Sequence, residues 1–161
     1  MSRRRSLRQS EVKDLASELA NLGADQGALV SKAKVEVLVI DGGEITFVEG
    51  VPNFARKQSR ILPSLKNSNL LGTLPHIIVD MGAVSHVCNG ADIMARGVTR
   101  IEGEFDKEAL VVVVDERHHK PLAVGSAMMD SASMRQAKSG KVVQNEHYIG
   151  DELWEAMKDT K

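Results

Sequence analysis

The chain has 161 residues, of which 42% are hydrophobic and 27% charged, and these proportions are typical of a globular protein with one large or two small domains. The net charge of −1 favours no particular partner, and the single cysteine, Cys88, excludes a disulfide framework and a thiolate metal cage. No stretch approaches the roughly 18 apolar residues of a membrane span, and no apolar run follows the basic N-terminus as in a signal peptide. We therefore expect a cytoplasmic protein that contacts no membrane.

The first 33 residues predict a basic arm followed by one helix. Residues 1–9 are expected to form a mobile arm rich in arginine. Ser10 is predicted to cap a helix that begins at Glu11 and ends at Gly23, because apolar residues recur at helical spacing between them. Residues 24–33 are interpreted as a loop.

The next segment predicts a β-hairpin and then a domain boundary. Runs of β-branched residues lie on both sides of Asp41-Gly42-Gly43, a sequence that favours a tight turn. Pro63 is predicted in the first turn of a short helix. Residues 67–73 are rich in turn-forming residues, and we expect the first domain to end there.

The second half predicts a compact unit of β-strands with a few short helices. Residues 111–114 are four consecutive valines, which indicates a strand buried on both faces. Short helices are predicted over residues 83–88 and, capped by Ser131, over residues 132–138. Trp154 is predicted to close one end of a small barrel. The predicted strands are residues 76–80, 91–95, 109–114, 121–128 and 142–149.

Positive charge is concentrated in the first half of the chain. Residues 1–74 contain 11 basic and 8 acidic side chains, whereas residues 75–161 contain 10 and 14. Clusters of arginine and lysine suit contacts with phosphate, although such a cluster is equally explained by a solvated surface. The candidates for auxiliary phosphate contacts are Arg56, Lys57, Arg60 and Lys66.

Motifs for catalysis are missing from the sequence. There is no nucleophile elbow, no phosphate-binding loop and no His-Glu-x-x-His motif. His118 and His119 are the best metal candidates, but adjacent side chains on a strand point in opposite directions, and the spacing of the other histidines predicts no convergence. Asp80 and Asp92 are as well explained by capping and turns as by acid–base chemistry. The sequence therefore predicts no enzyme, no cofactor and no metal site.

The most informative segment is Gly90-Ala91-Asp92-Ile93-Met94-Ala95-Arg96-Gly97-Val98, which indicates a helix stop, a short strand and a tight turn. Glycines allow a ligand to approach the backbone closely, and an arginine can bind phosphate with two hydrogen bonds. Gly82 opens the preceding helix, whose free N–H groups could hold a phosphate. The alternative is that these glycines only form turns and that Arg96 is only a surface charge.

This segment resembles the signature of the PUA domain, an RNA-binding module, and the resemblance extends over residues 75–158. It includes Val79-Asp80-Met81-Gly82-Ala83 and the ending Glu146-His147-Tyr148-Ile149-Gly150-Asp151-Glu152-Leu153-Trp154. That ending is similar to the malignant-T-cell-amplified-sequence family and its archaeal relatives. The resemblance implies an α+β fold in which a small N-terminal α/β domain (residues 1–74) precedes a β-barrel-like PUA domain with short helices (residues 75–161).

The resemblance also implies non-catalytic binding of structured RNA, such as tRNA or rRNA-like stems, in translation or RNA processing. Many relatives have proline where this chain has Arg96, so a phosphate contact by Arg96 is not inherited. The residues implied in RNA binding are Gly82, Ala83, Gly90, Ala91, Asp92, Met94, Arg96, Gly97 and Val98, with Lys141 and His147 on the last strand.

Three alternatives remain open at this point. The chain could be a ribosome-associated translation factor that acts on the small ribosomal subunit through a SUI1-type protein partner. It could be an accessory subunit that binds RNA for an RNA-modifying enzyme. A metal-dependent enzyme that uses the histidines is the third alternative.

Overall fold

The computed structural model describes residues 3–158, and they form two β-sheets with short helices around them. The first sheet has five strands in sequence order, and the second has six in the order Ile93–Met94, Lys141–Tyr148, Pro121–Ala127, Leu110–Asp115, His76–Val79 and Val98–Glu102. The predicted α+β class with a barrel-like second half is confirmed, because the second sheet curls into a half-barrel. Among the described residues, no helix is long and apolar enough to cross a membrane.

The first sheet is antiparallel throughout and is built around the predicted hairpin. Strands β2 and β3 meet at the glycine turn and pair from Val35 with Val48 to Ile40 with Gly43. The elements of this half are β1 (Arg4–Ser6), α1 (Gln9–Leu19), α2 (Ala24–Ser31), β2 (Val35–Ile40), β3 (Gly43–Val48), β4 (Val51–Lys57), β5 (Arg60–Pro63) and α3 (Ser68–Thr73).

Both faces of the first sheet are covered. On one face α1 and α2 supply Leu15, Leu19 and Val30 to a core that includes Phe54. On the other face Phe47 packs in a second core with residues from the C-terminal helix of the chain. That helix, α6 (Glu152–Lys158), therefore crosses back to the first sheet instead of covering only the second.

The second sheet is antiparallel except for one parallel pair, β6 with β9. As predicted, Val111 to Val114 are buried on both faces: Val111 and Val113 face the interior of the half-barrel, and Val112 and Val114 pack with Leu65 and Leu71 of the first half. The elements are β6 (His76–Val79), α4 (Val84–Val87), β7 (Ile93–Met94), β8 (Val98–Glu102), β9 (Leu110–Asp115), β10 (Pro121–Ala127), α5 (Ser131–Gln136) and β11 (Lys141–Tyr148).

Two predictions about the N-terminal segment are wrong. Arg4–Ser6 of the predicted mobile arm form strand β1, which pairs with β2, whereas residues 1 and 2 lie outside the described part of the chain. The helix begins at Gln9, one residue before the predicted cap, and Glu11 accepts a hydrogen bond from the backbone N–H of Arg8 at 3.0 Å. Such a contact from the N3 carboxylate to the N-cap N–H stabilises the first turn without Ser10.

Three further local predictions are wrong. Residues 24–33 contain helix α2 instead of a loop, and Pro63 ends strand β5 instead of beginning a helix. Asp130, not Ser131, caps α5 through a 2.7 Å hydrogen bond from the N–H of Ser133. Short elements of this kind depend on tertiary packing more than on local propensity, and their periodic signal is weak.

Trp154 does not simply close a barrel end. It packs against both the core shared with Leu65 and the core shared with Phe47, so it lies between the two sheets. The ammonium of Lys66 lies 4.3 Å from the centre of its ring, which is a favourable cation–π geometry. Trp154 therefore joins the two halves of the molecule.

Candidate nucleic-acid interface

The segment from Ala91 to Gly97 forms one wall of an open groove of about 610 Å³ on the second sheet. The opposite wall is the turn after β6 and helix α4, and the N-terminal end of β11 closes one side. We call this feature the signature groove. Its lining residues are Asp80, Gly82, Ala83, His86, Val87, Ala91, Asp92, Ile93, Met94, Arg96, Gly97 and Lys141.

Eight of the eleven residues that the sequence predicts for RNA contact therefore lie together in one groove, and three do not line it. Gly90, Val98 and His147 are the three exceptions. Two polar residues of the groove, Asp80 and His86, were not predicted to contact RNA. His86 is exposed near the end of a short helix, and its position is set by how α4 packs, for which the sequence carries no signal.

The turn after β6 is held by the chain's own carboxylate. Asp80 Oδ1 accepts a hydrogen bond from the backbone N–H of Ala83 at 2.9 Å, and the N–H of Asp80 donates to the carbonyl of Gly97 at 2.9 Å. The carboxylate therefore accepts a hydrogen bond from one of the backbone N–H groups that were expected to bind a phosphate. It also places negative charge at the groove, so anion binding at this helix start is disfavoured.

The two glycines of the signature have different surroundings. Gly90 has φ +94°, and a Cβ there would lie 3.0 Å from the Tyr148 hydroxyl. Gly90 therefore ends the helix and packs on the last strand. Gly97 lines the groove, and a Cβ there would lie 3.2 Å from the Cβ of Ala83. Gly97 thus allows the two walls to approach each other.

Two side chains bring positive charge to the signature groove. Arg96 is exposed and takes part in none of the ion pairs found within residues 3–158. Lys141 lies 3.4 Å from Asp92 Oδ2, and 59% of its side chain is exposed. Between them Met94 is 46% exposed, which gives the groove an apolar surface. This combination suits a ligand that offers phosphate oxygens beside flat apolar surface.

Asp92 has a structural contact that explains its place in the signature. Its Oδ1 accepts a hydrogen bond from the backbone N–H of Asn145 at 2.9 Å. The Asn145 side chain in turn donates to the carbonyls of Val87 and Ala91 at 3.1 and 3.0 Å. Asp92 therefore fixes the groove wall to β11, and we assign it a positioning role.

His147 is not available to RNA, and the prediction that it contacts RNA is corrected. Its side chain is fully buried, with Nδ1 2.8 Å from Asp151 Oδ2, and its Nε2 accepts from the backbone N–H of Leu65 at 3.2 Å. Burial acts to raise the pKa of Asp151, but hydrogen bonds from His147 and from the N–H groups of Trp154 and Tyr148 hold it below its usual value. His147 therefore joins the second sheet to the first half.

Three of the four predicted auxiliary cations form hydrogen bonds with other parts of the protein. Arg56 forms two hydrogen bonds of 2.8 and 2.6 Å with Glu18, which lower the pKa of that carboxyl. Lys57 donates to the carbonyl of Glu146 at 3.1 Å, and Arg60 donates to the hydroxyl of Ser126. These contacts argue against phosphate binding by these three cations. Lys66 is exposed beside Trp154.

Comparison with known proteins places this geometry in a family. The model of the PUA domain matches residues 75–149, which include the whole signature groove. An uncharacterized protein of Methanocaldococcus jannaschii is 36% identical over 152 residues, which cover 92% of this chain and 93% of that protein. The chain therefore belongs to one family with this archaeal protein and contains a PUA domain, and it is similar to the malignant T-cell-amplified sequence proteins.

Two further relatives extend the comparison. Translation machinery-associated protein 20 of Saccharomyces cerevisiae is 29% identical over 131 residues, which cover 76% of this chain and 72% of that protein. The crystal structure of a PUA domain from Aeropyrum pernix, solved as a tartrate complex, superimposes with a TM-score of 0.82 at 27% identity and covers 98% of this chain and 92% of that one. The likeness to the Aeropyrum pernix structure spans both sheets.

Proposed function

We propose that this protein binds structured RNA, of the tRNA or rRNA type, through the signature groove, and that it does so without catalysis in translation or RNA processing. The observation that supports this proposal is the coincidence of the PUA match with an open groove that has a free arginine and a half-exposed methionine. The similarity to Translation machinery-associated protein 20 of yeast favours translation as the setting.

The charge of the molecule limits how RNA can bind. The second half carries an excess of acidic residues, so RNA is repelled from much of its surface. Contact is therefore restricted to the part of the groove around Arg96 and Lys141. RNA stems are recognised through phosphates and 2′-hydroxyls more than through sequence. We expect modest affinity that falls with salt.

The proposal also assigns a role to each half of the chain. We infer that residues 1–74 form a supporting domain and that residues 75–161 form the RNA-binding domain. Two observations support this division: the strands form separate sheets, and the PUA match begins at residue 75. Because α6 packs on the first sheet and His147 bonds to Leu65, the two domains should unfold together.

Binding to a purified tRNA pool, with a DNA duplex of matched length as control, tests the proposal. Loss of one phosphate contact in Arg96→Ala should weaken RNA binding about five- to tenfold and reduce the slope of log K against log salt by about 0.7 to 0.9. The matched control is Lys13→Ala, which removes one exposed positive charge on α1 outside the groove. Equal affinities of wild type and Arg96→Ala, in folded proteins, would refute the groove as the RNA site.

One observation favours a second candidate function. Because Arg56, Lys57 and Arg60 are engaged by other parts of the protein, the predicted basic group of the first half offers less free positive charge to RNA than its composition indicates. The first half is therefore better suited to contact a protein, such as a SUI1-type partner on the small ribosomal subunit. Absence of tRNA binding at low salt, together with co-sedimentation with small ribosomal subunits, would favour this candidate over direct RNA binding.

A further inference from the structure

Three side chains that can bind metal meet on the second sheet. His76 begins β6 and Glu102 ends β8, and the two are direct cross-strand partners. His119 lies in the turn between β9 and β10, and one ligand atom from each of the three lies within 4.8 Å of the other two. His76 and His119 therefore converge, although nothing in their spacing along the chain predicted it. Sequence spacing gave no signal, because the three residues come from separate elements.

The hydrogen bond of His76 defines which of its nitrogens is free. Its Nε2 lies 3.0 Å from the carbonyl oxygen of Leu71, and since a carbonyl only accepts, Nε2 carries the proton and donates it. In the neutral ring Nδ1 then bears a lone pair, and it lies 3.8 Å from Glu102 Oε1. Two acceptors that face each other in this way can bind a cation between them. Metal-binding histidines commonly donate their other N–H to a backbone carbonyl, as His76 does.

An arginine neutralises the cluster in this structure. Arg100 Nη2 lies 2.7 Å from Glu102 Oε2 and 3.5 Å from His119 Nε2. The Arg100 side chain is 59% exposed, so it can turn into solvent without breaking a buried contact. A metal ion and the guanidinium would therefore compete for the same two side chains.

We propose that His76, Glu102 and His119 form a binding site for one divalent transition-metal ion, with Zn²⁺ as the best match. Two imidazoles and one carboxylate suit Zn²⁺ or its neighbours better than Mg²⁺ or Ca²⁺, which prefer oxygen ligands alone. In a tetrahedral Zn²⁺ site the donor atoms are about 3.3 Å apart, so atoms spread over 4.8 Å must close by about 1.5 Å. Glu102 and His119 are exposed and can rotate by this amount.

The metal ion at this site would have a structural role and not a catalytic one. It ties β6 and β8 to the turn after β9, so a bound ion would hold three separate segments together. Strand β6 leads into Asp80 and strand β8 follows Gly97, and both of these residues line the signature groove. The ion would thus stabilise the strands that carry the groove.

Zinc titration of the full chain by isothermal calorimetry at about pH 7.5 tests the proposal. We expect one Zn²⁺ per chain with a micromolar Kd. Glu102→Gln and His119→Ala should each weaken binding by about tenfold or more, whereas Arg100→Ala should strengthen it several-fold because the competing cation is gone. His118→Ala is the matched control, since it removes the neighbouring exposed histidine of the same turn.

Two outcomes would overturn the proposal. The first is no heat and no rise in melting temperature with about 100 µM Zn²⁺. The second is binding that is unchanged in both Glu102→Gln and His119→Ala, which would place the ion elsewhere. Substitution with Co²⁺ gives an independent readout, because a four-coordinate Co²⁺ site has intense visible absorption that the His119→Ala variant should lose.

Discussion

Replacement of Asp151 by alanine gives the sharpest test of how the two halves are held together. Asp151 Oδ1 accepts from the N–H of Trp154 at 2.7 Å, and Oδ2 accepts from the N–H of Tyr148 at 2.9 Å and contacts His147 Nδ1 at 2.8 Å. Because Leu65 donates its N–H to Nε2 of the same imidazole, Nδ1 must carry the proton. Asp151 therefore caps α6 and fixes the tautomer of a buried histidine.

The expected loss of stability in Asp151→Ala combines two effects. Loss of a helix cap costs about 1 kcal/mol, and each buried donor left without a partner costs about 1–3 kcal/mol. Burial of the Asp151 carboxylate opposes folding, so the full sum is not reached. We expect a loss of about 3–5 kcal/mol in the free energy of unfolding.

Urea denaturation followed by tryptophan fluorescence measures this loss, since Trp154 lies at the junction. Asp130→Ala is the matched control: Asp130 also caps a helix, through Ser133, but it is exposed and should lose only about 1 kcal/mol. If Asp151→Ala loses no more than Asp130→Ala, the buried network does not stabilise the protein and the reasoning is refuted.

Two other predictions concern stability. Gly125→Ala should destabilise the second sheet by several kcal/mol, because a Cβ at this position would come closer than 3.0 Å to the carbonyl oxygen of Gln144; a melting temperature equal to that of wild type would contradict this. The hydrogen bond from Arg5 lowers the pKa of Glu11 to about 2, so the stability contributed by this pair is fully present above about pH 4.5 and is lost as the pH falls towards 2. Urea midpoints of wild type and Glu11→Gln should therefore differ at pH 6 and converge near pH 2, and a difference independent of pH would show that the pair contributes nothing.

The signature groove shows how far local sequence information reaches. The glycines, the short strand and the arginine lie within nine residues of the chain, so their turn chemistry followed from the sequence. The sequence left capping by Asp80 as one of two interpretations, and it did not predict that Asp80 and His86 line the groove. These depend on how α4 packs against the sheet.

For the basic residues of the first half, local sequence information was not sufficient. Composition indicated a positive surface, but Arg56 and Lys57 are engaged by Glu18 and by the carbonyl of Glu146, which is 89 residues from Lys57 along the chain. The sequence shows which side chains are charged but not which groups they contact in the folded protein. Whether such a side chain can bind a ligand therefore depends on contacts between distant segments.

What the sequence alone determined is the family, the hairpin around Gly42 and Gly43, and the buried valine strand, because turn chemistry and hydrophobic pattern are local properties of the chain. Tertiary structure alone decided that His147 is buried and that His76 and His119 meet at Glu102. In each of these cases the partner comes from a separate strand, turn or domain. The role of a histidine depends on the groups around it, and only the folded chain brings those groups together.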